Sequence, residues 1–122
     1  MDSDWSEADL RGLRAERCTW PAAVLRGADF SGAFLSQCDL GRADLRDAKL
    51  DDGCFARSIL MQARLASVSA RRADFFQARL RKADLTGADL REASLYQADL
   101  TDVQLAHAST NGLRLHERAR LP

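Results

Sequence analysis

The sequence predicts an all-β solenoid built of five-residue units, and three observations predict it. Apolar residues recur every five positions from Ala8/Leu10 to Leu113/Leu115, giving 22 consecutive units without insertion or deletion. The central position of the unit is Leu, Phe or Trp in 19 of the 22, and the position two before it is Ala, Cys, Ser or Gly in 18. Of the 18 leucines, 15 fall on the centre, so the period governs the core and not merely the composition. A helix repeats at 3.6 residues and a strand at 2, and neither gives five. A period sustained over this length marks a chain whose units bury their apolar face only by stacking on one another.

The unit itself follows from the spacing. Two inward residues separated by one outward residue make a very short extended segment, and the next two residues must turn the chain before the following inward pair. Each unit is therefore one side and one corner of a coil. Gly12, Gly27, Gly32, Gly87 and Gly112 fall on the second corner position, where a turn calls for positive φ. At two places the sizes swap within a unit. Leu13 precedes a small central Ala15, and Val68 precedes a small central Ala70, which conserves core volume. Trp5 and Trp20 sit in central register near the N-terminus, where a bulky ring is expected to close the open end of the core, so residues 1–7 read as a cap segment. The repeat spans residues 8–117. Thr110, Arg118 and Arg120 break it, so residues 118–122 read as a tail.

The units "ADLRD", "ADLTG", "ADLRE" and "ADFSG" resemble those of the pentapeptide-repeat proteins over residues 8 to 117. The resemblance implies a right-handed quadrilateral β-helix with four units to a coil and about five coils. Residues 20 apart then stack in columns about 4.8 Å apart, and the rod is roughly 25 Å long. It is specific for the fold and says little about function.

Composition bounds the function classes. With 18 basic and 18 acidic residues the chain carries no net charge, so nothing global draws it to nucleic acid or to an anionic membrane. The N-terminal "MDSDWSEADL" lacks a basic and apolar leader, and no run of about 18 apolar residues occurs. A soluble, cytoplasmic protein is expected, without a membrane partner. The excess of 16 Arg over 2 Lys, with abundant Ala and Leu, points to a GC-rich bacterial genome. Cys18, Cys38 and Cys54 form no CxxC pair, which argues against zinc or a secreted disulfide framework. Cys18 and Cys38 read as small core residues in one inward column, and Cys54 as an outward residue, either a reactive thiol or an inert corner.

Outward positions carry whatever function exists. Arg57, Arg64, Arg71, Arg72, Arg79, Arg81 and Lys82 resemble a phosphate-binding patch when read along the chain. Stacked coil upon coil they meet acids instead: Asp44, Arg64 and Asp84 share one column, Asp52, Arg72 and Glu92 another, and Arg79 lies beside Asp99. These are expected to form structural ion-pair ladders, which argues against nucleic acid as a partner. A second feature is apolar. Phe76, Tyr96 and His116 follow Ala56 in one corner column, Phe34 lies toward the other end of the same face, and Ile59 and Met61 occupy a neighbouring one. These six are the candidate partner-binding residues, the alternative being that they cover their own backbone or form a homodimer contact.

No catalytic, cofactor-binding or metal-binding constellation is legible. His107 and His116 are nine residues apart and so on different sides, and no GxGxxG or GxxxxGK[ST] is present. Asp84, Asp89 and Asp99, just before the centre, read as supports for turns and rung pairing. A non-enzymatic interaction module is expected, a scaffold or adaptor for a protein partner or a homodimer through an end or an aromatic face. Small proteins of the resembling family also occur among bacterial secretion-system accessory genes. The alternative is the gyrase-protecting branch, whose rod resembles B-form DNA. Such a mimic needs a negative stripe, whereas Arg64, Arg72 and Arg79 interrupt the acidic columns here.

Overall fold

A computed structural model describes residues 4–116 and 121. The expected C-terminal tail therefore lies outside the described residues apart from Leu121. The chain winds as a right-handed quadrilateral β-helix in which residue i pairs in parallel with residue i+20, from Asp4↔Val24 to Ser94↔Arg114. Most sides are so short that they contribute one bridge. Among the described residues only β1 (Arg14–Glu16) and β2 (Phe34–Ser36) extend to three residues, in register Ala15↔Leu35. The four sides of the first coil are residues 4–7, 9–12, 14–17 and 19–22, and each recurs once per coil. We call them the first to the fourth side.

Backbone accounting explains the unit of five. The central amide donates one coil ahead (Leu45 to the Arg64 carbonyl, 2.8 Å), as does the second corner amide (Asp47 to Ala66, 3.1 Å). The amide before the centre donates one coil back (Asp44 to Ala23, 2.9 Å), and the amide two before it closes the turn (Ala48 to Leu45, 3.0 Å). Four amides of five are thus spent on backbone. The fifth, at the first corner position, is taken by the side chain two residues earlier: Arg46 donates to Asp44 Oδ1 (3.2 Å), Phe76 to Asp74 (2.9 Å) and Thr86 to Asp84 (3.0 Å). This is the local Asp-to-backbone bond that stabilises turns, and it is why Asp recurs just before the centre.

Arg71 shows the rule by its exception. The residue two before it is Ser69, and the Asp51 carboxylate of the preceding coil takes the place, accepting from the Arg71 amide (2.9 Å), from Ser69 Oγ (2.7 Å) and from the Arg71 guanidinium (3.1 Å). Burial alone would raise the Asp51 pKa. The hydrogen bonds from Ser69 and Arg71 outweigh it and hold the carboxyl below its ordinary 3.8.

Every second corner residue from Glu7 to Gly112 has φ between 55° and 73°, and non-glycine residues fill most of these positions. Glycine is needed for a different reason at Gly53, which stands where other units carry Ala. A Cβ there would lie 2.7 Å from Phe55 Cε2 and 3.1 Å from the Leu50 carbonyl. The missing methyl makes room for the Phe55 ring, which stacks on Phe75 at 5.5 Å and meets Phe30 edge-on at 6.4 Å. Central and small residues from Leu25 to Leu95 are buried, including the swapped pair Val68 and Ala70.

One detail corrects the expectations. Cys18 and Cys38 are not simply small core residues: their Cα atoms are 4.7 Å apart and their sulfurs are joined as a disulfide, within the usual span for such a bond. Among the described residues, their turns, Ala15 to Cys18 and Leu35 to Cys38, are the two that lack a closing backbone bond. In the second, the buried Ser58 hydroxyl bridges the gap, donating to the Leu35 carbonyl (2.5 Å) and accepting from the Cys38 amide (3.2 Å). Trp5 is 53% exposed and, with Trp20, Leu10 and Leu13, lines an apolar cavity of about 850 Å³, while residues 1–3 of the expected cap segment lie outside the described residues.

Three expectations follow. Gly53→Ala should lower unfolding free energy by about 1–3 kcal/mol through overpacking against Phe55, measured by urea denaturation, and an unchanged midpoint contradicts this packing. Reductant should lower wild-type stability by up to about 3 kcal/mol, the loop-closure value for a cross-link spanning 20 residues, and should leave Cys18→Ser with Cys38→Ser unaffected. Asp51 and Asp44 have folded pKa values below the unfolded 3.8, so their contribution is complete above 3.8 and lost as pH falls through the lower folded values. Denaturation midpoints should therefore hold steady from neutral pH to about 4 and fall below it. Asp51→Asn should flatten that fall, and an equally steep fall in the variant would show that Asp51 contributes nothing to it.

Candidate interaction surface

The aromatic column forms on the third side, and it is internally satisfied. Phe76 stacks on Tyr96 (6.2 Å between centroids, 13° between planes), and Tyr96 meets His116 at 5.5 Å. The Arg57 guanidinium lies over the other face of Phe76 at 5.6 Å, and Arg14 covers Phe34 in the same way at 5.3 Å. A hydrogen-bonded ladder runs beside the column, from Arg57 Nε to Gln77 (3.1 Å) and from Gln77 Nε2 to Gln97 (2.8 Å). The ring faces point along the rod and are covered, so the column offers its edges, chiefly Tyr96 at 40% exposure.

The expected ion-pair ladders form only in part. Arg72 makes a two-pronged pair with Asp52 (2.7 and 3.0 Å), and Glu92 does not extend it. Asp44 pairs with Arg46 of its own turn (2.8 Å) rather than with Arg64, Asp84 accepts from Thr86, and Asp99 accepts from Thr101 rather than Arg79. The reason is the fifth amide. A carboxylate already turned toward its own corner takes its cation from that corner, as Asp89 takes Arg91 (2.7 Å). Such bonds, which Asp9 makes with Arg11, hold Asp9 at about 2 and Asp44, Asp89 and Asp99 below their ordinary value.

The diversion leaves cations over. Among the described residues Lys49, Arg64, Arg79, Arg81, Lys82 and Arg114 have neither ion pair, hydrogen bond nor ring contact through the side chain. Arg79, Arg81 and Lys82 are one row of the fourth side, stacked directly on the row of half-buried Ile59 and exposed Met61. Arg64 lies just across the corner. Sequence reasoning placed Ile59 and Met61 correctly on a side apart from the aromatics and did not see that these cations are unpaired. The available signal was the want of Asp before the centre at Ile59, Arg64 and Arg79.

Other chemistry-bearing groups are scattered. His107 is exposed on the first side and His116 belongs to the third, Cys54 is half-buried between Phe34 and Asp74, and among the described residues no group of three metal-ligating side chains converges. No helix among them is long and apolar enough to cross a membrane.

The Pentapeptide repeats family matches the sequence over residues 3–42, 23–62, 58–97 and 71–105. No curated protein matches the chain. Among solved structures, the pentapeptide repeat protein Rfr23 from the cyanobacterium Cyanothece 51142 superposes with a TM-score of 0.80 at 23% identity, over 96% of this chain and 90% of that one. A pentapeptide repeat protein from the Arabidopsis thaliana thylakoid lumen is 35% identical over 64% of this chain and 54% of its own, with a TM-score of 0.61. QnrB1, a plasmid-mediated fluoroquinolone resistance protein, is 20% identical over 93% and 69%, with a TM-score of 0.69. With the family matched over most of its length and the four-sided coil in place, the chain belongs to the pentapeptide-repeat proteins.

Proposed function

We propose that this protein is a non-enzymatic protein–protein interaction module, a scaffold or adaptor of the bacterial cytoplasm accessory to a secretion or effector system. The observation that carries the reading is the fourth side, where exposed Met61 and half-buried Ile59 adjoin a row of unpaired cations on a rigid, hydrogen-bonded wall. Apolar side chains held on such a wall are suited to anchoring a partner, because little order is lost on binding. The dispersal of His107, His116 and Cys54 over separate positions supports a role without catalysis. A DNA-mimicking, topoisomerase-binding role is the second reading, favoured only by the fold shared with QnrB1. Its required negative stripe is weakened here, since Asp9, Asp44, Asp52 and Asp89 each lie against an arginine.

Affinity capture from bacterial lysate, read by mass spectrometry, tests the proposal with wild type beside Met61→Arg and beside Phe76→Arg/Tyr96→Arg. A defined protein retained by wild type, lost with Met61→Arg and kept by the aromatic double variant is the expected outcome. Retention of a topoisomerase subunit promotes the second reading. No protein retained above background by any of the three, all showing the wild-type circular dichroism spectrum, contradicts the interaction role.

A further inference from the structure

We infer that the corner between the fourth and first sides is a docking site for an acidic protein segment carrying an apolar anchor, an inference that rests on the interaction reading above. Two independent features of the same corner meet there. The first is the cations: Arg64, Arg79, Arg81 and Lys82 are all exposed and, among the described residues, have no ion pair, whereas arginines on the second side are tied to Asp9, Asp51, Asp52 and Asp89. The second is backbone donors. Where Asp stands before the centre, the first corner amide is taken by its carboxylate. Ile59, Arg64 and Arg79 stand there instead, and the amides of Met61, Ala66 and Arg81 find no acceptor among the described residues.

A carboxylate brought by a partner fits both needs at once. It can accept from the amide that the repeat leaves open and pair with the guanidinium or ammonium beside it, a charge-assisted arrangement stronger than either contact alone. Ile59 and Met61, one rung from Arg79 and Arg81, supply the apolar ground for an adjoining side chain. The same surface does not suit a nucleic-acid backbone. The cation row is bounded by Asp84, Asp99 and Asp102, so a regular run of phosphates would cross carboxylates within a rung, and Ile59 and Met61 offer phosphate nothing.

The repeat supplies its own test, because restoring its consensus blocks the site. In Arg64→Asp/Arg79→Asp the new carboxylates should take the open amides of Ala66 and Arg81; since they also stack on Asp44, Asp84 and Asp99, the fold is checked by a wild-type circular dichroism spectrum and a cooperative melt above the assay temperature. Immobilised wild-type rod is panned with a random dodecapeptide display library, and recovered peptides are measured by fluorescence anisotropy. The expected outcome is enrichment of sequences with Asp or Glu flanking an apolar residue. Their affinity should fall more than tenfold in Arg64→Asp/Arg79→Asp and in Met61→Asp, weaken with salt, and persist in Lys49→Asp, which makes the same change on the second side.

Peptides that bind equally well to the restored variant overturn the docking site and leave the interaction module standing on another face. No enrichment at all overturns the docking site, while the lysate capture still decides the module by itself. A labelled duplex DNA bound by wild type, released by Arg64→Asp/Arg79→Asp and unmatched by any peptide overturns the choice of a protein segment.

Discussion

The amide of Leu45 reaches the carbonyl of Arg64, that of Leu65 reaches Asp84, and that of Leu85 reaches Gln104, each at 2.7 to 2.8 Å and each in the coil ahead. This rung-to-rung bond, with its partner running back from the residue before the centre, is the constraint on which the rest of the molecule depends. It sets the vertical spacing and so decides which side chains meet: Phe55 on Phe75, Phe76 on Tyr96, Arg72 on Asp52, Cys18 on Cys38. It also imposes the corners. Left-handed backbone costs an ordinary residue roughly 1–2 kcal/mol, yet Arg17, Gln37, Arg57, Gln77 and Gln97 all adopt it in one column. The surrounding ladder outweighs the local preference.

The economy of amides links this scaffold to its surface. Four of the five in a regular unit are consumed by the ladder and the turn, and the fifth makes Asp useful just before the centre. Because those carboxylates are engaged at home, they rarely serve the cations of a neighbouring rung: among the described residues only Asp89, already held by Arg91, also reaches Arg71 of the adjacent coil, at 3.9 Å. Hence the charge of the rod is not a smooth pattern of opposite stacks. On the second side it is settled partly within the turn, as in Asp9 with Arg11 and Asp89 with Arg91, and partly between coils, as in Asp51 with Arg71 and Asp52 with Arg72, and it is left open beside Ile59, at Arg64 and Arg79. The surface proposed for docking is in this sense a part of the repeat that departs from its own construction.

That relation explains what the sequence made legible. The columns of Leu and Ala and the turns at the second corner position follow from periodicity, because burial tolerates little else there, whereas four units to a coil, and with it the pairing of residues 20 apart, was implied by the family resemblance. Ion pairs were not legible from column membership. Asp44 and Arg64 do stack, and yet Asp44 turns to Arg46, since the choice depends on the direction that the corner amide gives the carboxylate. Aromatic positions were legible, while their mutual cover was not: Arg57 over Phe76 depends on side-chain direction at the corner.

The ladder can be observed directly by NMR, through scalar couplings transmitted across hydrogen bonds from amide nitrogen to carbonyl carbon. Cross-peaks should join Leu45 to Arg64, Leu65 to Asp84 and Leu85 to Gln104, so that each central amide from Trp20 to Leu95 is linked to the same place in the coil ahead. Correlations in any other register, or central amides that exchange with solvent too fast to show couplings, would contradict the four-sided ladder.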